Sequence, residues 1–244
     1  MDTAAAADAY AALHTLLRST DQKGRQSYLA HATTNYDLAI EAALDADTTS
    51  ELISGFASRR GDAASRFTPN LLTSVNDSTR LVPVLHLHGA VGWYEHSGDV
   101  VRRTPADETF DERRVPALLL PDEQKDPTAF GPPAAQIWGA FRHHLRNATH
   151  ILVLGQSLHD AHIVNLLTAD DVAAAITIVV HVSPTPAGDF DIATSPEIEH
   201  LQRTLPGATL IGGEFGPKRA TAGLDRHAVQ SWLRSDGPLR SQDA

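Results

Sequence analysis

Two apolar runs in the second half of the chain constrain its fold more than any other feature. The first, ILVL (151–154), ends at Gly155 and a polar turn, and the second, AAITIVVHVSP (174–184), is rich in β-branched residues. A helical pattern separates them. Continuous apolar strands that alternate with helices are typical of parallel sheets covered on both faces. The sequence therefore predicts an α/β fold, with a Rossmann-like parallel sheet and helices on both faces.

Other segments extend this pattern along the chain. Apolar periodicity predicts helices over 3–18, 37–46, 132–148 and 223–234, and strands over 27–33, 80–89, 115–121 and 208–213. Residues 57–80 are interpreted as an irregular connection and residues 95–114 as a charged surface insertion. We expect a single domain over 1–244, with 28–94 and 115–235 as the sheet core.

The composition excludes several classes of protein. The formal net charge is −10, which argues against non-specific binding to nucleic acid. No run approaches the roughly 18 apolar residues of a transmembrane helix. Cysteine is absent, which removes disulfides, thiolate nucleophiles and thiolate zinc sites. We expect a cytoplasmic protein without a metal, although its backbone N–H groups could still hold a phosphate.

Polar residues follow the predicted strands at the points where the strands end. They are Asn35 and Asp37, then His88, then Gly155 to Ser157, and finally Ser183. Because the carboxyl ends of parallel strands meet at one edge of a sheet, we expect these residues to share one rim. Ligands of such sheets bind at that edge.

The segment Thr34-Asn35-Tyr36-Asp37 has two interpretations. Asn35 or Asp37 can cap the helix that follows, by accepting hydrogen bonds from its first backbone N–H groups. Alternatively, the carboxamide and the carboxylate are directed at a ligand from the strand end. The spacing alone favours the cap, because such caps are common.

The segment His86-Leu87-His88-Gly89 also has two interpretations. Residues two apart on a strand face the same side, so the two histidines could form a metal pair, but no third ligand is evident. A histidine beside glycine at a strand end suits a general base better. Its ordinary pKa lies near working pH, and glycine lets a substrate approach.

The turn after ILVL, Gly155-Gln156-Ser157, is a weak phosphate-binding signal. Glycine between an apolar strand and a helix has the outline of such a site, but the full G-x-G-x-x-G pattern is absent. His159, Asp160 and His162 could form a metal cluster. The favoured interpretation is that Asp160 supports the start of the helix and that the histidines are partly exposed.

Four motifs occur in order along the chain: TTNYD (33–37), HLHG (86–89), ILVLGQSLHD (151–160) and a β-rich run ending in HVSP (181–184). Together they resemble the sirtuin-like family, and specifically its bacterial branch associated with NAD+ hydrolysis. That branch typically reads T-T-N-Y-D, and the family has a strand that ends in histidine-glycine. The resemblance covers roughly residues 28–185.

The resemblance implies a role for each residue of the rim. Asn35 would position the nicotinamide ribose or the attacking water, Asp37 would lie near the nicotinamide carboxamide, and His88 would be the general base. The implied dinucleotide-binding residues are Thr34, Gly155, Gln156, Ser157 and Ser183, with Gly155 and Ser157 at the phosphates or ribose. Ser183 stands where sirtuins place an asparagine against the adenosine ribose.

Two features depart from the family pattern. Sirtuin deacylases often carry a four-cysteine zinc module, which a chain without cysteine cannot form. The family also begins with a strand and a G-A-G-x-S loop around the pyrophosphate. In this chain the only glycine before Thr33 is Gly24. Loss of that central strand would leave backbone groups unpaired. We therefore expect an N-terminally shortened form of a longer protein.

The resemblance implies an NAD+ hydrolase that releases nicotinamide and ADP-ribose as a bacterial defence or stress effector. NAD+ is then its substrate, no metal is expected, and further copies of the chain or other subunits are expected partners. Two alternatives remain open. One is an NAD-dependent protein deacylase, with Trp93 and Tyr94 lining an acyl-lysine tunnel, and the other is a catalytically inactive nucleotide-binding module.

Overall fold

A computed structural model describes residues 3–19, 29–56, 64–73, 81–96, 99–103, 115–118, 133–181 and 192–213. The chain divides into two compact units: unit 1 takes in Met1–Lys23 and His144–Ala244, and unit 2 takes in Gly24–His143. The described helices are α1 (Thr3–Ser19), α2 (Ala39–Asp45), α3 (Asn70–Thr73), α4 (Ala134–Asn147), α5 (Ala161–Leu167) and α6 (Pro196–Thr204). The described strands are β1 (His31–Thr33), β2 (Glu51–Ile53), β3 (Ala64–Arg66), β4 (Leu81–His86), β5 (Trp93–His96), β6 (Asp99–Arg103), β7 (Val115–Pro116), β8 (His150–Leu154), β9 (Ala175–His181) and β10 (Thr209–Gly213).

Unit 2 contains a three-stranded parallel sheet in the order β1-β4-β2. Every residue of β4 after Leu81 is buried, as expected for the middle strand of a covered sheet. Helix α2 contacts β2 and buries one apolar face, which includes Ile40, Ala43 and Leu44. The strands expected over 27–33 and 80–89 are confirmed at His31–Thr33 and at Leu81–His86, and residues 87–89 lie beyond the end of β4.

Unit 1 contains a second three-stranded parallel sheet, in the order β10-β9-β8. Its pairing is continuous, from His150↔Ala175 to Leu154↔Val179 on one side of β9 and from Thr209↔Thr177 to Gly213↔His181 on the other. The two apolar runs that predicted a parallel sheet are therefore paired with each other. The protein has an α/β fold, in which helices surround parallel sheets, as the sequence predicts.

Unit 2 also contains an antiparallel sheet, in the order β3-β6-β5-β7, that the sequence did not reveal. The expectation of irregular structure over 57–80 is wrong at Ala64–Arg66, which is β3, and at Asn70–Thr73, which is α3. Within the segment interpreted as an insertion, Asp99–Arg103 pairs with both β3 and β5. These strands are short and carry charged residues, so they lack the apolar signal of a buried strand.

Helix α4 confirms the helix expected over 132–148. Its side chains Ile137, Trp138 and Phe141 are buried together in unit 2. The expected helix over 223–234 and Ser183 lie outside the described residues. Across the described ranges, no helix combines the length and apolar character that crossing a bilayer requires.

Candidate active site

The first two polar loops of the predicted rim leave neighbouring strands of unit 2. β1 and β4 are parallel and paired, with Thr33 opposite His86. The pairing extends past the strand ends, because Leu87 donates its N–H to the Thr33 carbonyl at 2.9 Å. Further along, Val91 donates its N–H to the Tyr36 carbonyl at 2.8 Å. The TTNYD and HLHG segments are therefore held side by side at the carboxyl ends of these strands.

The loop from Thr33 to Leu38 is a hydrogen-bonded turn in which Asn35 alone is exposed. One Asp37 oxygen, Oδ1, accepts from Ala39 N–H at 3.0 Å, a hydrogen bond to the backbone two residues on. The N-cap of α2 is Leu38, which has no side-chain cap, so Asp37 holds the turn that enters the helix and is not its N-cap. The Asn35 N–H donates to the Thr33 hydroxyl at 3.0 Å, which fixes the backbone before the helix. The Asn35 residue itself is exposed, whereas Asp37 is half-buried. Asn35 thus presents its carboxamide from a fixed backbone.

His88 lies in the turn after β4, half-buried and near two aromatic rings. Its ring centroid is 6.4 Å from that of Tyr36 and 6.5 Å from that of Trp138. The indole of Trp138 donates to the Leu87 carbonyl at 3.0 Å and so holds the turn against α4. Burial raises the pKa of the Tyr36 phenol above its ordinary value, so this phenol keeps its proton at working pH.

Gly89 is required by the packing of the chain, whereas the sequence suggested that glycine is there to let a substrate approach. Its φ is +82°, in the left-handed region that favours glycine. A Cβ at this position would lie 2.3 Å from the Ala117 carbonyl oxygen. The space beside Gly89 is thus filled by the chain's own backbone rather than kept open for a substrate.

His86 points away from the exposed rim into the interior. Its Nε2 lies 2.6 Å from Oε1 of Glu41, and its Nδ1 lies 3.2 Å from the Asn35 carbonyl oxygen. Both ring nitrogens therefore have partners, so the metal pair of His86 and His88 is wrong. Glu41 was missed from the sequence. Its signal would have been a carboxylate on the apolar face of α2, between Ile40 and Leu44.

The third polar loop of the predicted rim, Gly155 to Ser157, belongs to unit 1. Gly155 has a φ of +60° and Leu158 a φ of +56°, so the chain turns twice between β8 and α5. Gly155 and Ser157 are exposed and Gln156 is half-buried. The Asp160 carboxylate accepts from His162 N–H at 2.9 Å, which confirms that it supports the start of α5. His159 is exposed and stacks on His200 of α6.

We expect Gly155→Ala to lower the free energy of unfolding by about 1 kcal/mol, since a residue with Cβ is strained at positive φ. The substitution creates no clash, because nothing lies within 4 Å of the added Cβ among the described residues. Chemical denaturation measures this change. Gly155→Asn serves as the control and should lose less, because asparagine tolerates the left-handed region. Equal losses in the two variants would contradict the conformation assigned to this loop.

Comparison with known protein families identifies the chain. A family model described as a SIR2-like domain matches residues 30–197, which is more than half of the chain. The chain belongs to the SIR2-like family. SIR2-like domains use NAD and are generally NAD-dependent enzymes. No curated protein matched the chain.

The family assignment confirms the sirtuin-like resemblance. The structure describes three of the four motifs in full. TTNYD and HLHG lie in unit 2, ILVLGQSLHD lies in unit 1, and the HVSP motif extends beyond the described residues after His181. In the part of the chain that the structure describes, no three His, Asp or Glu side chains are grouped as a metal ion would need.

Proposed function

We propose that this SIR2-like protein hydrolyses NAD+ to nicotinamide and ADP-ribose. The observation that carries the proposal is the pairing of two loops at the ends of β1 and β4. They present an exposed asparagine, a half-buried aspartate and a half-buried histidine from one edge of a parallel sheet. Ligands of such sheets bind at that edge.

The proposed reaction breaks the bond between ribose C1′ and the nicotinamide nitrogen. The bonding electron pair leaves with nicotinamide, which departs neutral from a cation, and the ribose develops oxocarbenium character. The Asp37 carboxylate and the Asn35 amide dipole stabilise that positive charge. Water then adds to C1′ and gives up a proton, which His88 accepts and passes to solvent. One NAD+ and one water thus yield nicotinamide, ADP-ribose and a proton.

The division of work between Asn35 and Asp37 follows from their burial. Asp37 is half-buried and uses Oδ1 on the Ala39 N–H, so its carboxylate is fixed relative to the start of α2. We assign it to the nicotinamide carboxamide. Asn35 is exposed on a bonded backbone, which suits it to orient the ribose or the attacking water. Thr34 belongs to the same dinucleotide-binding loop in this proposal.

Unit 1 contributes a separate element to the proposal. Gly155, Gln156 and Ser157 form a turn whose exposed glycine and hydroxyl suit contact with phosphate or ribose oxygens. Ser183, outside the described residues, keeps its proposed role at the adenosine ribose. The family resemblance supports both assignments.

Trp93, one of the two aromatic residues proposed to line an acyl-lysine tunnel, packs in the core instead. Trp93 is only 2% exposed. Its ring centroid lies 5.0 Å from that of Phe56, edge-on, and 6.3 Å from that of Phe67, at a tilt. It is therefore a core residue of unit 2. This packing supports hydrolysis over deacylation, because it takes one of the two proposed residues away from such a tunnel.

The biological setting proposed with this activity rests on the family resemblance. Depletion of NAD+ would be the output of a bacterial defence or stress system, in the cytoplasm where NAD+ is available. Further copies of the chain or other subunits are its proposed partners.

The test is to incubate the purified protein with NAD+, with and without an acetyl-lysine peptide, and to separate the products by chromatography with mass detection. We expect nicotinamide and ADP-ribose in equal amounts, whether or not the peptide is present. Acetyl-ADP-ribose formed only with the peptide would replace the proposal with a deacylase. Unchanged NAD+ together with measurable binding of NAD+ would replace it with a binding module.

A further inference from the structure

We infer that His86 and Glu41 are positioning residues that hold the Asn35 peptide in place for the reaction at the neighbouring loop. The inference rests on the proposed function and adds two residues to its site. His86 is 1% exposed and Glu41 is 2% exposed, so neither contacts a ligand at the rim. The pair therefore affects the reaction only through the Asn35 carbonyl that His86 contacts.

The hydrogen-bond geometry fixes the position of one proton of the pair. The Asn35 carbonyl can only accept, so Nδ1 of His86 carries a proton and donates to it. The 2.6 Å contact between Nε2 of His86 and Oε1 of Glu41 needs one further proton, on either partner. The pair is therefore neutral overall, either as two uncharged groups or as two opposite charges. In both states Nδ1 donates to Asn35.

The surroundings of the pair hold the imidazole in one orientation. The indole ring of Trp93 stands edge-on to the His86 ring, with centroids 5.6 Å apart. Glu41 projects from the buried face of α2, and its Oε2 has no hydrogen-bond partner among the described residues. A buried carboxylate needs such a partner, so Glu41 depends on His86. The His86 ring on β4 thus links Glu41 of α2 to the loop that carries Asn35.

The loop around Asn35 is tied down at three successive residues. His86 donates to the carbonyl of Asn35, Val91 donates to the carbonyl of Tyr36, and Ala39 donates to the carboxylate of Asp37. Only the first of these bonds comes from a side chain outside the loop. Loss of the His86 donor leaves the Asn35 peptide able to rotate, and its carboxamide turns with it. Misplacement of a reacting group by about 1 Å can lower a rate about 100-fold.

Two double variants isolate the single hydrogen bond to Asn35. His86→Asn with Glu41→Leu keeps a donor near the place of Nδ1 and removes the buried carboxylate. His86→Leu with Glu41→Leu removes the carboxylate and the donor together. The two proteins differ by one nearly isosteric side chain, so their melting temperatures should be similar. We expect kcat for nicotinamide release to be about 10- to 100-fold lower in the second, with the NAD+ KM little changed.

A purely structural role would not produce this pattern. A purely structural role would lower the melting temperature of both double variants. The variant with asparagine at position 86 would then have the same low kcat as the variant with leucine there. If the double variants do not fold, His86→Gln provides the comparison, since its amide reaches Glu41 but not Asn35. We expect this single variant to melt near the parent and to lose kcat. Equal kcat in His86→Gln and the parent would overturn the inference.

Amide hydrogen exchange tests the inference without relying on activity. If the parent releases no nicotinamide, the proposed function fails, and exchange at Asn35 and at Val91 decides the positioning role by itself. We expect both amides to exchange about 10-fold faster in the variant with leucine at both positions than in the variant with asparagine at 86, since one hydrogen bond contributes about this factor. The amide of Ile178 in β9 is the internal reference. Equal exchange in both variants would overturn the inference.

Discussion

We expect Gly89→Ala to lower the free energy of unfolding by about 2 to 5 kcal/mol. The φ of +82° strains any residue with a Cβ, and that atom would lie 2.3 Å from the Ala117 carbonyl oxygen. The clash is with backbone, so a side-chain rotation cannot relieve it. Since the stability of a domain is about 5 to 15 kcal/mol, this one methyl group would remove a large part of it. Urea denaturation of the two proteins measures the difference.

Gly139→Ala is the matched control, because the same change there has the opposite expected sign. Gly139 lies inside α4, and nothing lies within 4 Å of the added Cβ among the described residues. We expect alanine to stabilise the helix by about 0.5 to 1 kcal/mol. A Gly89→Ala protein as stable as the parent would show that the turn after β4 is not held as described.

We expect His88→Ala to lower kcat for nicotinamide release by about 10²- to 10⁴-fold, the usual contribution of a general base. The half-buried imidazole lies near the rings of Tyr36 and Trp138 and follows the strand that carries His86. Because the base acts as water attacks, KM for NAD+ should change much less than kcat. Steady-state kinetics with chromatographic detection of nicotinamide measures both parameters.

His143→Ala is the control for this prediction. It makes the same substitution at an exposed histidine of α4, outside the proposed site. We expect its kcat to match the parent, and circular dichroism should show all three proteins folded. A folded His88→Ala protein with the kcat of the parent would remove His88 from the mechanism.

Much of the fold could be predicted because it depends on patterns that lie within short segments. ILVL pairs with AITIVVH (175–181) as β8 and β9, since a strand covered on both faces needs a continuous apolar run. The cap at Asp160 and the burial of Ile137 and Trp138 in α4 are likewise local consequences of side-chain spacing. The family motifs, which occur in order along the chain, predicted which loops carry the site residues. Their residue roles remain predictions.

The features that escaped prediction depend on contacts between distant parts of the chain. Glu41 and His86 are 45 positions apart, and nothing in the local pattern of either residue indicates that they meet. The same holds for Gly89, whose neighbour Ala117 lies on a separate segment. The antiparallel strands β3 and β6 are too short and too charged for periodicity to reveal. Such pairs become visible only when the tertiary structure is known.

The central claim is that NAD+ is hydrolysed at the loops after β1 and β4, and Asn35→Ala tests it most directly. The described hydrogen bonds of Asn35 come from its backbone, so alanine preserves them and removes only the carboxamide. The measurement is the initial rate of nicotinamide release from NAD+ by the parent and by this variant. The account predicts release by the parent, with ADP-ribose in equal amount, and a rate about 10²-fold lower in the variant. Intact NAD+ with the parent, or equal rates in the two proteins, would contradict it.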